Sequence, residues 1–149
     1  MPSTLFKSAR LLDPWTHLDQ TGDLLAVDGI IRAIGTDAAP AAPADAVIVD
    51  CAGQCLAPGL VDMRVHLSEP GHEYLEDIET TSRAAVAGGI TSLVALPGTE
   101  PVLDEVSTVE FVSRRARKLG LVNIYAYGAA TRGVAGKELT EMGDRKSVV

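Results

Sequence analysis

The stretch from Ala57 to Gly71 constrains this chain more than any other. A proline-glycine turn begins it, a second one ends it, and a short, mostly apolar run lies between them. Such a run indicates a buried strand. It also carries Asp62, Arg64 and His66 at every second position, and residues two apart in a strand point to one face. Polar side chains that converge at the end of a buried strand are typical of an active site in a parallel barrel.

Length and charge exclude several classes of protein. The chain has 149 residues, 46% of them hydrophobic, and a net charge of −7. These values suit one soluble domain, or a small domain with part of another. A phosphate-binding face must be basic, so no nucleic-acid partner is expected. The sequence also lacks a membrane-spanning apolar run and a signal-peptide core, which predicts a cytoplasmic protein. Cys51 and Cys55 are reduced thiols or, as the alternative, a disulfide.

Residues 1–56 predict a small β unit. Asp28-Gly29 lies between two apolar runs and is a strong two-residue hairpin signal. A first strand is expected to end at Asp13-Pro14, and the Ala/Pro-rich residues 38–46 predict a surface loop. The strands are predicted over residues 4–11, 24–27, 30–34 and 47–49.

Residues 57–149 predict a βαβαβ order, which favours parallel strands joined by helical crossovers. After the opening strand comes a helix that ends near Gly88-Gly89, and residues 91–95 and 121–125 predict two further strands. A second helix is expected to be capped by Asp104 and to end at Gly120. Its apolar face would be Val106, Val109, Val112, Ala116 and Leu119, with Arg114, Arg115, Arg117 and Lys118 mostly on a solvated opposite face.

The opening stretch resembles the first barrel strand of the amidohydrolase superfamily, and most closely that of dihydroorotases. There the pattern is Pro-Gly-x-x-Asp-x-His-x-His-Leu-Arg-Glu-Pro-Gly. The similarity continues to about Gly143, through Tyr74–Glu79, Ala87–Thr91, Leu96–Pro101 and Glu138–Gly143. The resemblance implies an α/β fold, with a partial (β/α)8 TIM barrel over residues 57–149 preceded by a small β-sandwich subdomain over residues 1–56.

The resemblance also implies a zinc site that this chain does not fully reproduce. In the family, both histidines of His-x-His bind metal, but here Arg64 occupies the first of those positions and only His66 remains. Arginine offers no lone pair to a metal. His66 is therefore either a histidine that hydrogen-bonds within the barrel or the remnant of a metal site. Asp62 is either a structural acceptor or part of the site.

Two substrate-binding positions also depart from the family pattern. Ser68 stands where the family has an arginine that holds the substrate carboxylate, and Gly98 stands where it has an asparagine. Serine is short and neutral, and glycine has no side chain. His72 and His17 are weak candidates as ligands, and Glu69-Pro70-Gly71 is expected to shape a loop.

Two functions follow from the resemblance. The first is a catalytically degenerate dihydroorotase homologue of pyrimidine biosynthesis that supports aspartate transcarbamoylase and is oligomeric when full-length. The second is an active zinc-dependent dihydroorotase, or a related cyclic-amide hydrolase, with altered ligands. The three substitutions at Arg64, Ser68 and Gly98 favour the first.

The chain is expected to be an N-terminal piece of a longer protein. A complete barrel takes about 250 residues, and residues 144–149 leave the family pattern. We expect those six residues not to be native coding sequence.

Overall fold

The computed structural model describes residues 3–141, so the expectation for residues 144–149 lies outside the described residues. The chain forms two compact units, the first ending at Pro58 and the second beginning at Gly59. The sequence pattern placed the boundary between residues 56 and 57. In the described part of the chain, no helix is long and apolar enough to cross a membrane.

The first unit is a single five-stranded sheet with the order β3-β2-β1-β4, and β5 also pairs with β1. β1, β2 and β3 are antiparallel neighbours, whereas β4 and β5 run parallel to β1. The predicted β-sandwich requires a second, facing sheet, and residues 3–58 form only this one. The strands are β1 (Ser3–Asp13), β2 (Leu18–Val27), β3 (Ile30–Ile34), β4 (Val47–Asp50) and β5 (Cys55–Leu56).

Turn chemistry sets the order of the first three strands. Asp28 and Gly29 both have positive φ, 55° and 74°, and they join β2 to β3 in the predicted hairpin. The Asp13 carboxylate ends β1 by accepting hydrogen bonds from the Trp15 N–H and the Thr16 hydroxyl. The predicted first strand and its end at Asp13 are therefore confirmed.

The prediction of a surface loop at residues 38–46 is wrong in its first half. Gly35–Asp37 forms a 3-10 turn that leads into a short helix, α1 (Ala38–Ala41). Ala38 is fully buried and packs against Leu5 and Leu25. Small alanines allow this close packing on the sheet. An Ala/Pro-rich composition is also typical of loops, so the sequence did not predict the helix.

The second unit has the predicted βαβαβ order, with a parallel sheet in the order β6-β7-β8. Its core lies between the sheet and the two helices and includes Ile78, Leu93, Val109 and Val112. Three strands do not close a barrel, so residues 59–141 contain only an open parallel sheet. The elements are β6 (Leu60–Val65), α2 (Ile78–Ala87), β7 (Ile90–Ala95), α3 (Val106–Leu119) and β8 (Asn123–Ala126).

The helix ends agree only partly with the predictions. α3 ends as expected at Gly120, which has a left-handed φ of 63°. Its N-cap is Glu105 without a side-chain bond, so the prediction that Asp104 caps it is wrong. α2 begins at a capping box formed by Asp77 and Thr80.

Candidate functional site

The positions that the sequence singled out follow the carboxyl ends of neighbouring strands. The Leu96 N–H donates to the Val65 carbonyl at 2.8 Å, and the Tyr127 N–H donates to the Ala95 carbonyl at 2.9 Å. The ends of β6, β7 and β8 therefore lie side by side. The residues that follow them form one edge of the sheet, where ligands bind in parallel α/β folds.

β6 contains a bulge at its most informative residues. Asp62 pairs with Leu93 and Val65 pairs with Ala95, so two residues of β6 lie opposite one residue of β7. The Asp62 carboxylate accepts the Arg64 backbone N–H at 2.9 Å. The regular alternation that would place Asp62 on the same face as Arg64 and His66 is therefore interrupted. Asp62 acts as a structural acceptor that holds the bulge.

Arg64 and His66 lie exposed at the end of β6. Within residues 3–141, neither side chain makes a hydrogen bond or an ion pair. A guanidinium has no lone pair to give, and Zn²⁺ takes at least three protein ligands. No group of three His, Cys, Asp or Glu side chains in the described part of the chain is arranged to hold a metal. Because His66 is a single donor beside a cation, residues 3–141 do not fit a zinc site.

Ser68 and Gly98 lie on the same edge of the sheet. Ser68 is half-buried, and its carbonyl accepts the His72 N–H at 2.7 Å. Gly98 is exposed, and a Cβ at this position would meet no atom within 4 Å. Neither residue presents a cationic or amide side chain for a carboxylate.

Glu69 is the buried acidic residue of this edge, with 6% of its surface exposed. Its Oε2 accepts the Ile78 N–H, at the first turn of α2, at 2.8 Å. Its Oε1 lies 3.3 Å from Nε of Arg115 on α3. Glu69 therefore has a structural role, in agreement with the expectation for its loop. The prediction that Arg115 is solvated is wrong, because its guanidinium pairs with Glu69. The sequence pattern of α3 does not indicate this ion pair, since Glu69 lies far away in the sequence and is brought close only by the fold.

The loops that follow the three strands are joined to one another. The Glu100 N–H donates to the Pro70 carbonyl at 3.0 Å, linking the β6 and β7 loops. The Asp104 carboxylate, predicted to cap α3, instead accepts the Gly133 N–H at 2.8 Å and so links the β7 and β8 loops. This edge of the sheet is a continuous, hydrogen-bonded layer.

The remaining candidates lie apart from these residues or are surface groups. Nε2 of His72 lies 3.5 Å from the Glu100 carboxylate, and the His72 ring packs edge-on against Tyr74. His17 lies in the turn after β1, in the first unit. Cys51 is buried and Cys55 exposed, and both are free thiols.

Comparisons with known proteins identify relatives of this chain. A family model described as "Dihydro-orotase-like" matches residues 53–148. A protein named dihydroorotase from Pelobacter propionicus is 49% identical over 142 residues, which is 95% of this chain and 33% of that protein. This chain thus spans about a third of the length of such curated relatives.

Solved structures share the fold. An L-hydantoinase (dihydropyrimidinase) from Arthrobacter aurescens superimposes with a TM-score of 0.70 at 25% identity, over 88% of this chain and 28% of that one. An enamidase described as a member of the amidohydrolase superfamily gives a TM-score of 0.61 at 22% identity, over 86% of this chain and 36% of that one. The described residues therefore share the mixed α/β fold of a part of such proteins.

Proposed function

This chain belongs to the dihydroorotase-like family, and on that premise we propose that the protein it represents is a catalytically degenerate member that supports aspartate transcarbamoylase. In this proposal the barrel is kept as a binding scaffold for an enzyme of pyrimidine biosynthesis. A fold can keep its architecture while its function moves to another surface.

The observation that carries the proposal is Arg64 at the end of β6. A histidine there would give a second imidazole beside His66, but an arginine places a permanent positive charge where a dication would bind. The bulge that holds Asp62 against the Arg64 N–H fixes the backbone at this point. The presence of arginine at position 64 therefore changes the chemistry of the strand end, while the backbone there stays ordered.

Ser68 and Gly98 support the same proposal independently. Recognition of a carboxylate favours a bidentate arginine or amide donors, and neither residue supplies such a side chain. Meanwhile the buried Glu69 still joins the loop to α2 and α3. A protein that is selected for its scaffold is expected to lose the side chains that bind substrate and to keep those that hold the fold together.

A second candidate is an active zinc-dependent dihydroorotase that interconverts dihydroorotate and carbamoyl aspartate. The 49% identity to a protein named dihydroorotase favours it. In that case His66 would contribute one ligand, and the others would come from residues outside 3–141. The two candidates differ in whether the protein has ring-opening activity of its own.

The scaffold proposal is tested by co-assembly. The protein is expressed in its full natural reading frame together with the aspartate transcarbamoylase of the same organism, and an affinity tag is placed on the transcarbamoylase. We expect the two to co-elute in a defined stoichiometry and the transcarbamoylase to be more active in the complex than alone. Separate elution with unchanged transcarbamoylase activity would contradict the proposal.

A further inference from the structure

One surface of α3 combines an apolar depression with a row of cations, and we propose that it binds an acidic segment of a partner protein carrying a large apolar side chain. We call this surface the α3 groove. It is formed by Pro70, Pro101, Phe111, Arg114, Arg115 and Lys118. The inference rests on the proposed function, because the partner used to test it is aspartate transcarbamoylase.

The apolar end of the α3 groove is a depression of about 260 Å³ between Pro70, Pro101 and Phe111. Small-molecule sites usually enclose about 300–1,000 Å³, so this depression suits a single side chain better than a metabolite. Phe111 is 44% exposed although it is a large aromatic residue. Aromatic residues with rigid neighbours are frequent anchors of protein interfaces.

The other end of the α3 groove is basic. Phe111 also borders a second depression, which is lined by three cations, Arg114, Arg115 and Lys118, together with Ser107 and Glu110. α3 carries four cationic residues and one acidic residue, whereas the chain as a whole has a net charge of −7. This local reversal of charge is complementary to carboxylates. The net negative charge of the rest of the chain repels a long polyanion more than a short acidic segment, which favours the segment over a polyphosphate backbone.

Two of the three cations of the α3 groove, Arg114 and Lys118, are available to a partner. Among residues 3–141, Arg114 pairs only with Glu110, at 2.5 Å; the Arg114 side chain is exposed and that of Glu110 is partly exposed. Such exposed pairs contribute little to stability, so Arg114 can turn to a partner carboxylate at small cost. Lys118 is exposed and makes no ion pair within residues 3–141. Arg115 also lines the groove, but its guanidinium is engaged with Glu69.

The α3 groove faces the α2 side of α3. Arg115 reaches Glu69, whose second oxygen binds the first turn of α2, and α2 and α3 are in contact. The opposite side of α3 borders β8, where Ser113, Arg117 and Tyr125 line a different depression. The α3 groove and the β8 side of α3 are therefore two separate surfaces.

The test measures the affinity of the full-length protein for the aspartate transcarbamoylase of the same organism by biolayer interferometry. Phe111→Ala and the double variant Arg114→Gln/Lys118→Gln are each expected to weaken binding at least tenfold. The loss in the double variant should shrink as salt is raised, because its contribution is electrostatic. Thermal unfolding should show both variants folded, since all three side chains are exposed.

Two matched controls test whether binding depends on the groove itself or on positive charge anywhere on the surface. Arg83→Gln removes an arginine from the same i,i+4 pairing on α2, and Arg117→Gln removes the cation next to Lys118 on the other side of α3. Both should bind within twofold of the wild type. If the groove variants bind as tightly as the wild type, the groove proposal is overturned and the proposed function stands. If the wild type itself does not bind, both fail.

Discussion

Glu69 and Arg115 form an ion pair at 3.3 Å that connects the loop after β6 to the middle of α3. The second oxygen of Glu69 accepts the Ile78 N–H at the start of α2. One buried carboxylate thus fixes two helices and the loop that follows Arg64 and His66. Hydrogen bonds to a buried charge are among the stronger polar contributions to stability.

Removal of this carboxylate should destabilise the second unit. Glu69→Ala leaves the Ile78 N–H and the Arg115 guanidinium without their partner, and we expect a loss of about 1.5–3 kcal/mol in the free energy of unfolding. Glu69→Gln should lose less, since its amide oxygen still accepts the Ile78 N–H. Urea unfolding followed by circular dichroism measures both. The exposed pair provides the control, because Arg114→Gln should change stability by less than about 0.5 kcal/mol.

Gly71 is required by a close contact between two loops. Its φ is +109°, and a Cβ at this position would lie 2.1 Å from the Glu100 carbonyl oxygen. Gly71→Ala should therefore cost about 2–4 kcal/mol through backbone strain and displacement of the β7 loop. Gly98→Ala is the control: its Cβ meets nothing within 4 Å, so a change below about 0.5 kcal/mol is expected. Equal stability of the two variants would refute this account of the loops.

Asp77 makes the start of α2 sensitive to acid. Hydrogen bonds from the Thr80 N–H and then from the Thr80 hydroxyl lower the pKa of the Asp77 carboxyl. A carboxyl whose pKa is lower in the folded state stabilises the fold above its unfolded pKa, and this contribution disappears as the pH falls below about 4. Asp77→Asn retains the cap but cannot titrate. Its urea midpoint should therefore fall less than that of the wild type between pH 5 and pH 3, and parallel profiles would contradict this role.

Arg64 can be exchanged to test whether it is the residue that disfavours zinc binding at this strand end. Arg64→His in the full-length protein restores a second imidazole and removes a positive charge, so zinc affinity should rise at least tenfold. Arg64→Gln removes the charge without adding a ligand and should have a smaller effect. Competition with a zinc-binding dye gives both values. No gain from histidine over glutamine would mean that the rest of the site has also lost its ligands.

Local patterns in the sequence predicted much of the second unit. Periodic apolar residues and the terminal glycine defined α3, and alternating β and α segments gave the parallel sheet. The predictions were wrong where a side chain binds a group that is distant in the sequence. Asp104 looks like a helix cap, but it binds the Gly133 N–H, and Arg115 looks solvated, but it binds Glu69.

The placement of the candidate residues along the strands was predictable, but their local geometry was not. The motif pointed to Arg64, His66, Ser68 and Gly98, and all four follow or end strands at one edge of the sheet. The bulge after Asp62 was not predictable, because a shift in strand register leaves no signal in a period-two pattern. It separates Asp62 from the two residues with which a regular strand would have grouped it.

The most direct test of the central proposal is the rate at which the full-length protein, with Arg64 in place and zinc supplied, converts dihydroorotate to carbamoyl aspartate. A side-by-side assay with the Pelobacter propionicus relative, named a dihydroorotase, gives the reference rate. The scaffold proposal predicts no conversion above the uncatalysed rate, with or without the transcarbamoylase. Zinc-dependent turnover within about tenfold of the reference would contradict it and establish the active hydrolase instead.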